Sequence, residues 1–135
     1  MHELEGILEL SSIPVPEGSD NGRNYRVLKV TRKALNSEDV ADQFNEEVCR
    51  YLDKKSEDYD PNAIYCIDMN ETNTFSSSLI GYLIRISLEH RSEFGESISL
   101  TNLSKHDKEV IAKINVEKMF KIYSTLEDFK EAIGA

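Results

Sequence analysis

Cysteine is scarce in this chain: Cys49 and Cys66 are the only two among 135 residues. They lie far apart without CxxC spacing, so neither a disulfide framework nor a thiolate metal site is expected. Both read as reduced core residues. Long hydrophobic runs are missing too. No apolar stretch approaches the roughly 18 residues of a membrane helix, and the opening MHELEGILEL is acidic where a signal peptide is basic. A cytoplasmic protein is expected. Positive charge is also in short supply, with 16 Lys and Arg against 25 Asp and Glu and a formal net charge of -9. The basic residues are scattered, and the few aromatics are not interleaved with them. Binding to nucleic-acid phosphates or bases is therefore not expected. Acidity favours solubility and steering toward a basic protein surface.

Catalytic signatures are absent as well. The phosphate-cradling loops GxxxxGK[ST] and GxGxxG do not occur, and no GxSxG elbow surrounds a serine. His2, His90 and His106 have no HxxxH partner and read as solvated surface residues. Glu38-Asp39, Glu46-Glu47 and Glu57-Asp58 read as solvated faces. Asp68, near a strand end, invites comparison with the phosphoacceptor of a receiver domain. That site needs a metal, an acidic pair on an earlier strand and a lysine on a later one. Lys121 could be the lysine, but Ser11-Ser12-Ile13-Pro14 supplies no acidic pair. No enzyme, cofactor or metal is expected.

What is present is a strong central unit, Asn62 to Leu88. Ala63-Ile64-Tyr65-Cys66-Ile67 reads as a strand buried on both faces. A polar loop, Glu71 to Thr74, leads to Phe75 and three serines, Ser76, Ser77 and Ser78. Leu79, Ile80, Leu83, Ile84, Ile86 and Leu88 then recur at helical spacing, predicting a helix from about Ser77 to Arg91 headed by serine N-cap chemistry.

Around it, Ile7 to Leu10 with Ile13 and Val15 predicts a first strand, and Tyr25 to Val30 a second that pairs with it antiparallel. Asn36 or Ser37 caps a helix with Val40, Ala41, Phe44, Val48, Cys49 and Leu52 facing inward and Lys54-Lys55 in its last turn. Ser97 to Thr101 is a strand. Ser104 caps a helix with Val110, Ile111, Ile114 and Met119 inward, and Phe120 to Tyr123 is a last strand. Ser124 or Thr125 caps a final helix presenting Leu126, Phe129, Ala132 and Ile133, ended by Gly134. The order ββαβαβαβα predicts one α/β domain over 1–135, with a four- to five-stranded, mixed, mostly parallel sheet and about four helices.

A serine at a helix start meets free N–H donors and the positive end of the macrodipole. Phosphate there adds roughly -2 of charge to the surface without breaking a core. A serine cap alone is the plainer alternative. Two segments resemble the STAS family, the sulphate-transporter and anti-sigma-factor-antagonist domain, over roughly 25 to 133; residues 1–24 match weakly. Where that family has Asp-Ser-Ser/Ala-Gly-Leu-Gly, this chain has Ser76-Ser77-Ser78-Leu79-Ile80-Gly81. Where it has Gly-Leu, a Phe-x-Ile-Tyr strand and an acidic helix, this chain has Asn115-Val116, then Phe120-Lys121-Ile122-Tyr123 and Leu126 to Ile133. The resemblance implies a STAS-like fold and an antagonist that switches partners. Ser77 would be the phosphorylated residue, with Ser78, Ser76 and Thr74 as alternatives. Thr74, Phe75, Ser76, Ser77, Ser78, Ile80 and Gly81 would meet the partner, a GHKL-type serine kinase that is also the anti-sigma factor. A PP2C-type phosphatase would reset the switch. The alternative is an unphosphorylated STAS subunit or scaffold of a signalling or lipid-transport assembly.

Overall fold

The computed structural model describes residues 6–14, 24–31, 34–35, 37–75 and 77–134, with side chains at 34–35, 73–75, 77 and 117 outside the description. The expected His2, Val15, Asn36 and Ser76 features lie outside the described residues. Five strands form one sheet in the order β1 (Leu8–Ile13), β2 (Asn24–Val30), β4 (Ala63–Asp68), β6 (Ser99–Thr101), β7 (Lys121–Tyr123). β1 runs antiparallel to β2 as expected, and every later pairing is parallel. Helices α1 (Glu38–Leu52), α2 (Ser77–Phe94) and α3 (Lys105–Lys113) make the crossovers, and α4 (Leu126–Ala132) closes the chain.

Each crossover steps the same way across the sheet. Right-handed connection therefore places α1, α2 and α3 on one face. The core agrees. Phe44, Val48, Leu79, Leu83, Ile86 and Ile111 share one buried cluster with Leu28, Tyr65, Ile67 and Leu100 of the strands. The opposite face is thinner: Ile13, Val27 and Cys66 pack under Phe129 of α4. β4, buried at every position, lies between the two layers, which is why its sequence is continuously apolar rather than alternating.

Local signals set the helix boundaries. Ser37, Ser104 and Thr125 are the N-caps of α1, α3 and α4, each accepting a main-chain N–H three residues on. α1 stops at Leu52 with Asp53 as its C-cap, so Arg50 and not Lys54-Lys55 occupies the last turn. α2 runs on to Phe94 because Phe94 is itself buried, and Gly95, at φ 82, turns the chain after it. β6 begins at Ser99 rather than Ser97, and β7 at Lys121 rather than Phe120.

Several inward expectations fail. Leu88 is 48% exposed, on the side of α2 opposite the buried Ile86 and His90, and Ile114 is 45% exposed as the C-cap just past α3. Ala132 is exposed and Cys49 only half-buried, its thiol donating to Asn45 Oδ1 at 3.5 Å. Two residues read as solvated are structural instead. Glu47 accepts from the N–H groups of Ile7 (3.0 and 3.1 Å) and Leu8 (3.1 Å), holding the start of β1 against α1. His90 is fully buried. Its Nε2 accepts from the Tyr65 N–H at 3.1 Å, and its Nδ1 donates to the Glu96 carbonyl at 2.7 Å. His106 is exposed, as expected.

Candidate functional site

The serine-headed helix starts at the carboxyl edge of the sheet. β4 ends at Asp68, whose Oδ1 accepts from the Asn70 N–H (2.8 Å) and from Asn102 Nδ2 (3.0 Å). The Met69 N–H donates to the Thr101 carbonyl at 2.9 Å, and the Glu71 N–H to the Asn102 carbonyl at 2.7 Å. Asn70 Nδ2 reaches back to the Val30 carbonyl at 3.2 Å. The ends of β2, β4 and β6 are thus laced together immediately before α2. Asn70, Glu71 and Asn102 all take positive φ, at 51, 56 and 53 degrees. Asn tolerates that region better than most residues, since its short amide can bond locally.

Glu71 to Thr74 does not stay a loop. Asn73–Phe75 form β5, which pairs in parallel with β3 (Ala34–Leu35), the segment leading into α1. Strands of two and three residues leave no periodicity to read. Their pairing matters because it brings the approaches to α1 and α2 side by side. Thr74 and Phe75 therefore lie on β5, and Ser77 is the first residue of α2. Ser78 and Ile80 are half-buried and Gly81 is exposed. Leu79, where the STAS pattern has glycine, is fully buried.

The electrostatics of this helix start differ from the others. α1 has Glu38 and Asp39 in its first turn, α3 has Asp107 and α4 has Glu127 and Asp128, whereas α2 has no acid there. Its positive end has no acidic side chain of its own first turn to offset it. Tyr82, one turn on, donates its hydroxyl to Asp42 of α1, and Arg85 lies over the Tyr82 ring at 5.4 Å. That hydrogen bond, together with burial, raises the Tyr82 pKa, since losing the phenolic proton would set two anions together. The sequence carried no signal for this latch, because it joins residues 40 apart.

An added Cβ at Gly81 would meet nothing within 4 Å. No neighbour among the described residues requires glycine there, although it weakens the helix. The receiver constellation is not assembled. Lys121 opens β7 at the amino edge, where its Nζ pairs with Glu96 at 2.6 Å, while Asp68 sits at the carboxyl edge. Among the described residues no group of three or more His, Cys, Asp or Glu could hold a metal ion. No helix among them is long and apolar enough to cross a membrane.

No protein-family model matches the chain, and no curated protein matches it. Solved structures do. An anti-sigma-factor antagonist (STAS) domain protein from Planctomyces limnophilus superposes with TM-score 0.69 at 16% identity, covering 95% of this chain and 98% of that one. A candidate anti-sigma factor antagonist from Thermotoga maritima gives 0.63 at 17% identity over 79% of this chain and 86% of that one. An NMR structure of the same Thermotoga protein gives 0.65 at 15% identity over 98% and 91%. The chain has the fold of these STAS-domain proteins, a five-stranded mixed sheet with four helices.

Proposed function

We propose that this chain is a regulatory protein-binding domain of the anti-sigma-factor-antagonist kind, spanning 1–135 as one unit, and that phosphorylation of Ser77 decides which partner it holds. The observation that carries the reading is the position of Ser77, first residue of α2 at the carboxyl edge of a STAS-type sheet. Phosphate there would meet the free N–H groups and uncompensated positive end of the helix, so the fold tolerates it. Outside, the same charge lies near α1, whose start carries Glu38 and Asp39. The modified face repels an acidic partner surface and changes a contact made without it.

In this reading Thr74, Phe75, Ser76, Ser78, Ile80 and Gly81 form the contact surface with Ser77, and Ser78, Ser76 and Thr74 are the alternative acceptors. The unphosphorylated form binds a GHKL-type serine kinase that is also an anti-sigma factor, freeing a sigma factor in the cytoplasm. A PP2C-type phosphatase restores the binding form. A second reading, constitutive binding as a subunit of a larger assembly, is favoured by Ser76 and the buried Leu79, which replace the acidic residue and glycine of the STAS pattern.

The test is phosphosite mapping by mass spectrometry on protein from its native cells, paired with binding of Ser77→Asp to the kinase captured by the unmodified chain. Phosphate on Ser77 and lost binding of the Asp variant support switching. No phosphate in any growth state, with Ser77→Asp binding as wild type, leaves the constitutive reading standing.

A further inference from the structure

Hydrogen-bonding direction alternates along an antiparallel strand pair. The Thr31 N–H donates to the Ile7 carbonyl at 2.9 Å, which sets the parity of the β1–β2 ladder. The Ile7 carbonyl and the main-chain groups of Glu9, Ser11 and Ile13 turn toward β2. Leu8, Leu10 and Ser12 turn theirs outward, and β1 is the end strand of the sheet among the described residues. This outward edge has a stop at each end. The Leu8 N–H is taken by Glu47 Oε1 at 3.1 Å, and Pro14 has no N–H to offer. Between the stops, Leu10 and Ser12 turn both N–H and C=O outward, where no bond to them is found among the described residues. Leu10 is 41% exposed, and Glu9 is the only charged side chain in the strand.

The other edge is handled differently. β7 is three residues long and begins with Lys121, ion-paired to Glu96. Short length and charge are the usual devices that discourage pairing at an edge. β1 is six residues long and has only Glu9 as a charge between its stops.

We propose that β1 is a homodimer interface, pairing antiparallel with β1 of a second copy about a two-fold axis at Ser11. The window between the stops selects both the occupant and the register. With Ser11 on the axis, Leu10 faces Ser12 of the second copy, and the four outward N–H groups and four carbonyls of these residues are all satisfied. Leu8 then meets Pro14, a pair that has no free N–H to bury. Moving the axis to Leu10 sets the Glu47 carboxylate against the Ser12 carbonyl of the second copy. Moving it to Ser12 sets the Leu10 carbonyl against proline. In the Ser11 register Glu9 opposes Ile13, so no acid faces an acid despite the net charge of -9. A strand that accepts its own copy with every outward group of Leu10 and Ser12 paired is self-complementary, as a two-fold interface must be.

Sedimentation equilibrium on the full chain should show a concentration-dependent dimer. Ser11 pairs with itself in a non-hydrogen-bonded position, where Cα atoms lie roughly 4.5 Å apart, within disulfide reach. In a Cys49→Ser background, Ser11→Cys should therefore oxidise to a covalent dimer, while Glu9→Cys should not. Ser12→Pro removes an outward N–H that the β1–β2 ladder does not use, and should weaken the dimer at least about tenfold. Leu10→Lys gives the same reading if the proline variant fails to fold. A monomer at all concentrations, a dimer indifferent to both substitutions, or cross-linking through Glu9→Cys in preference to Ser11→Cys would each overturn the proposal.

Discussion

The imidazole of His90 stands in for a strand: its Nε2 accepts the Tyr65 N–H at 3.1 Å, on central β4, one residue before β6 begins to pair, Cys66 with Ser99. The other ring nitrogen donates to the Glu96 carbonyl in the turn after α2. One side chain thus satisfies two main-chain groups and ties the end of α2 to the sheet. Replacing His90 with Phe keeps an aromatic against Tyr65 and Phe94, at centroid distances of 6.2 and 4.9 Å in the native protein. It leaves the buried Tyr65 N–H and the half-buried Glu96 C=O without these partners, at up to about 1–3 kcal/mol each. Urea unfolding should show a loss of roughly 2–5 kcal/mol for His90→Phe, against a near-neutral effect for His106→Phe on the surface.

Gly81 sits inside α2 with open space around its Cα. Alanine there should raise stability by about 0.5–1 kcal/mol through helix propensity. If this face receives a partner, the added methyl meets it. Gly81→Ala should then unfold at higher denaturant yet bind the captured partner more weakly. Equal or tighter binding would remove Gly81 from the contact surface.

The two thiols should differ in what exposes them. Burial pushes the Cys66 thiol up to about 12, the contact to Thr101 opposing the rise and the charge of Asp68 adding to it. Cys49 is also raised, first by burial and then by Glu89. Thiolate is the reactive form, so Cys66 should react with a disulfide reagent at pH 8 only as fast as the protein opens. The folded value lies above that of a free thiol. Its contribution to stability is therefore present below about pH 8.5 and is lost as pH rises toward 12. Cys66→Ala should flatten that alkaline limb in pH-dependent unfolding.

The acid side has its own reporter. Asp60 accepts from Asn24 Nδ2 at 2.8 Å and from the Asn62 N–H at 2.9 Å, and Arg26 lies 3.4 Å away. These hold its pKa below the usual carboxylate value, the Asn24 bond first and the Asn62 N–H next. A depressed folded value stabilises above the unfolded pKa of about 3.9 and is lost as pH falls below it. Asp60→Asn should unfold with a shallower pH dependence under pH 4 than the wild type, the difference vanishing at the lowest pH.

The sequence is informative where a side chain reports its own surroundings. Ala63 to Ile67 is apolar at every position because β4 is covered on both faces, and the Ser and Thr caps sit beside the helices they start. It is silent where a residue serves a distant one. His90 serves Tyr65, Glu47 serves Leu8 and Asp42 serves Tyr82, at separations of 25, 39 and 40 residues. A polar side chain destined for a buried partner has the same local signature as a solvated one. Of the candidate site, position was legible and setting was not. The serine-headed helix could be read, but the β3–β5 pairing that steers it could not.

That setting yields a last expectation at Asn102. Its amide holds Asp68 at 3.0 Å, its carbonyl receives the Glu71 N–H at 2.7 Å, and its φ is 53 degrees. Side chain and backbone make separable contributions. Asn102→Gly gives up the amide bond but suits the left-handed backbone, whereas Asn102→Ala gives up the bond and strains the backbone by roughly 1–2 kcal/mol. Alanine should therefore be the more destabilising by about 1 kcal/mol, a gap that equilibrium unfolding resolves. Both variants release the amide's hold on Asp68 just ahead of α2 and keep the carbonyl that receives the Glu71 N–H. If the loop lacing orients the helix start for its partner, both should weaken binding by a similar factor despite their different stabilities. Binding loss that tracks stability instead would assign Asn102 to the fold alone.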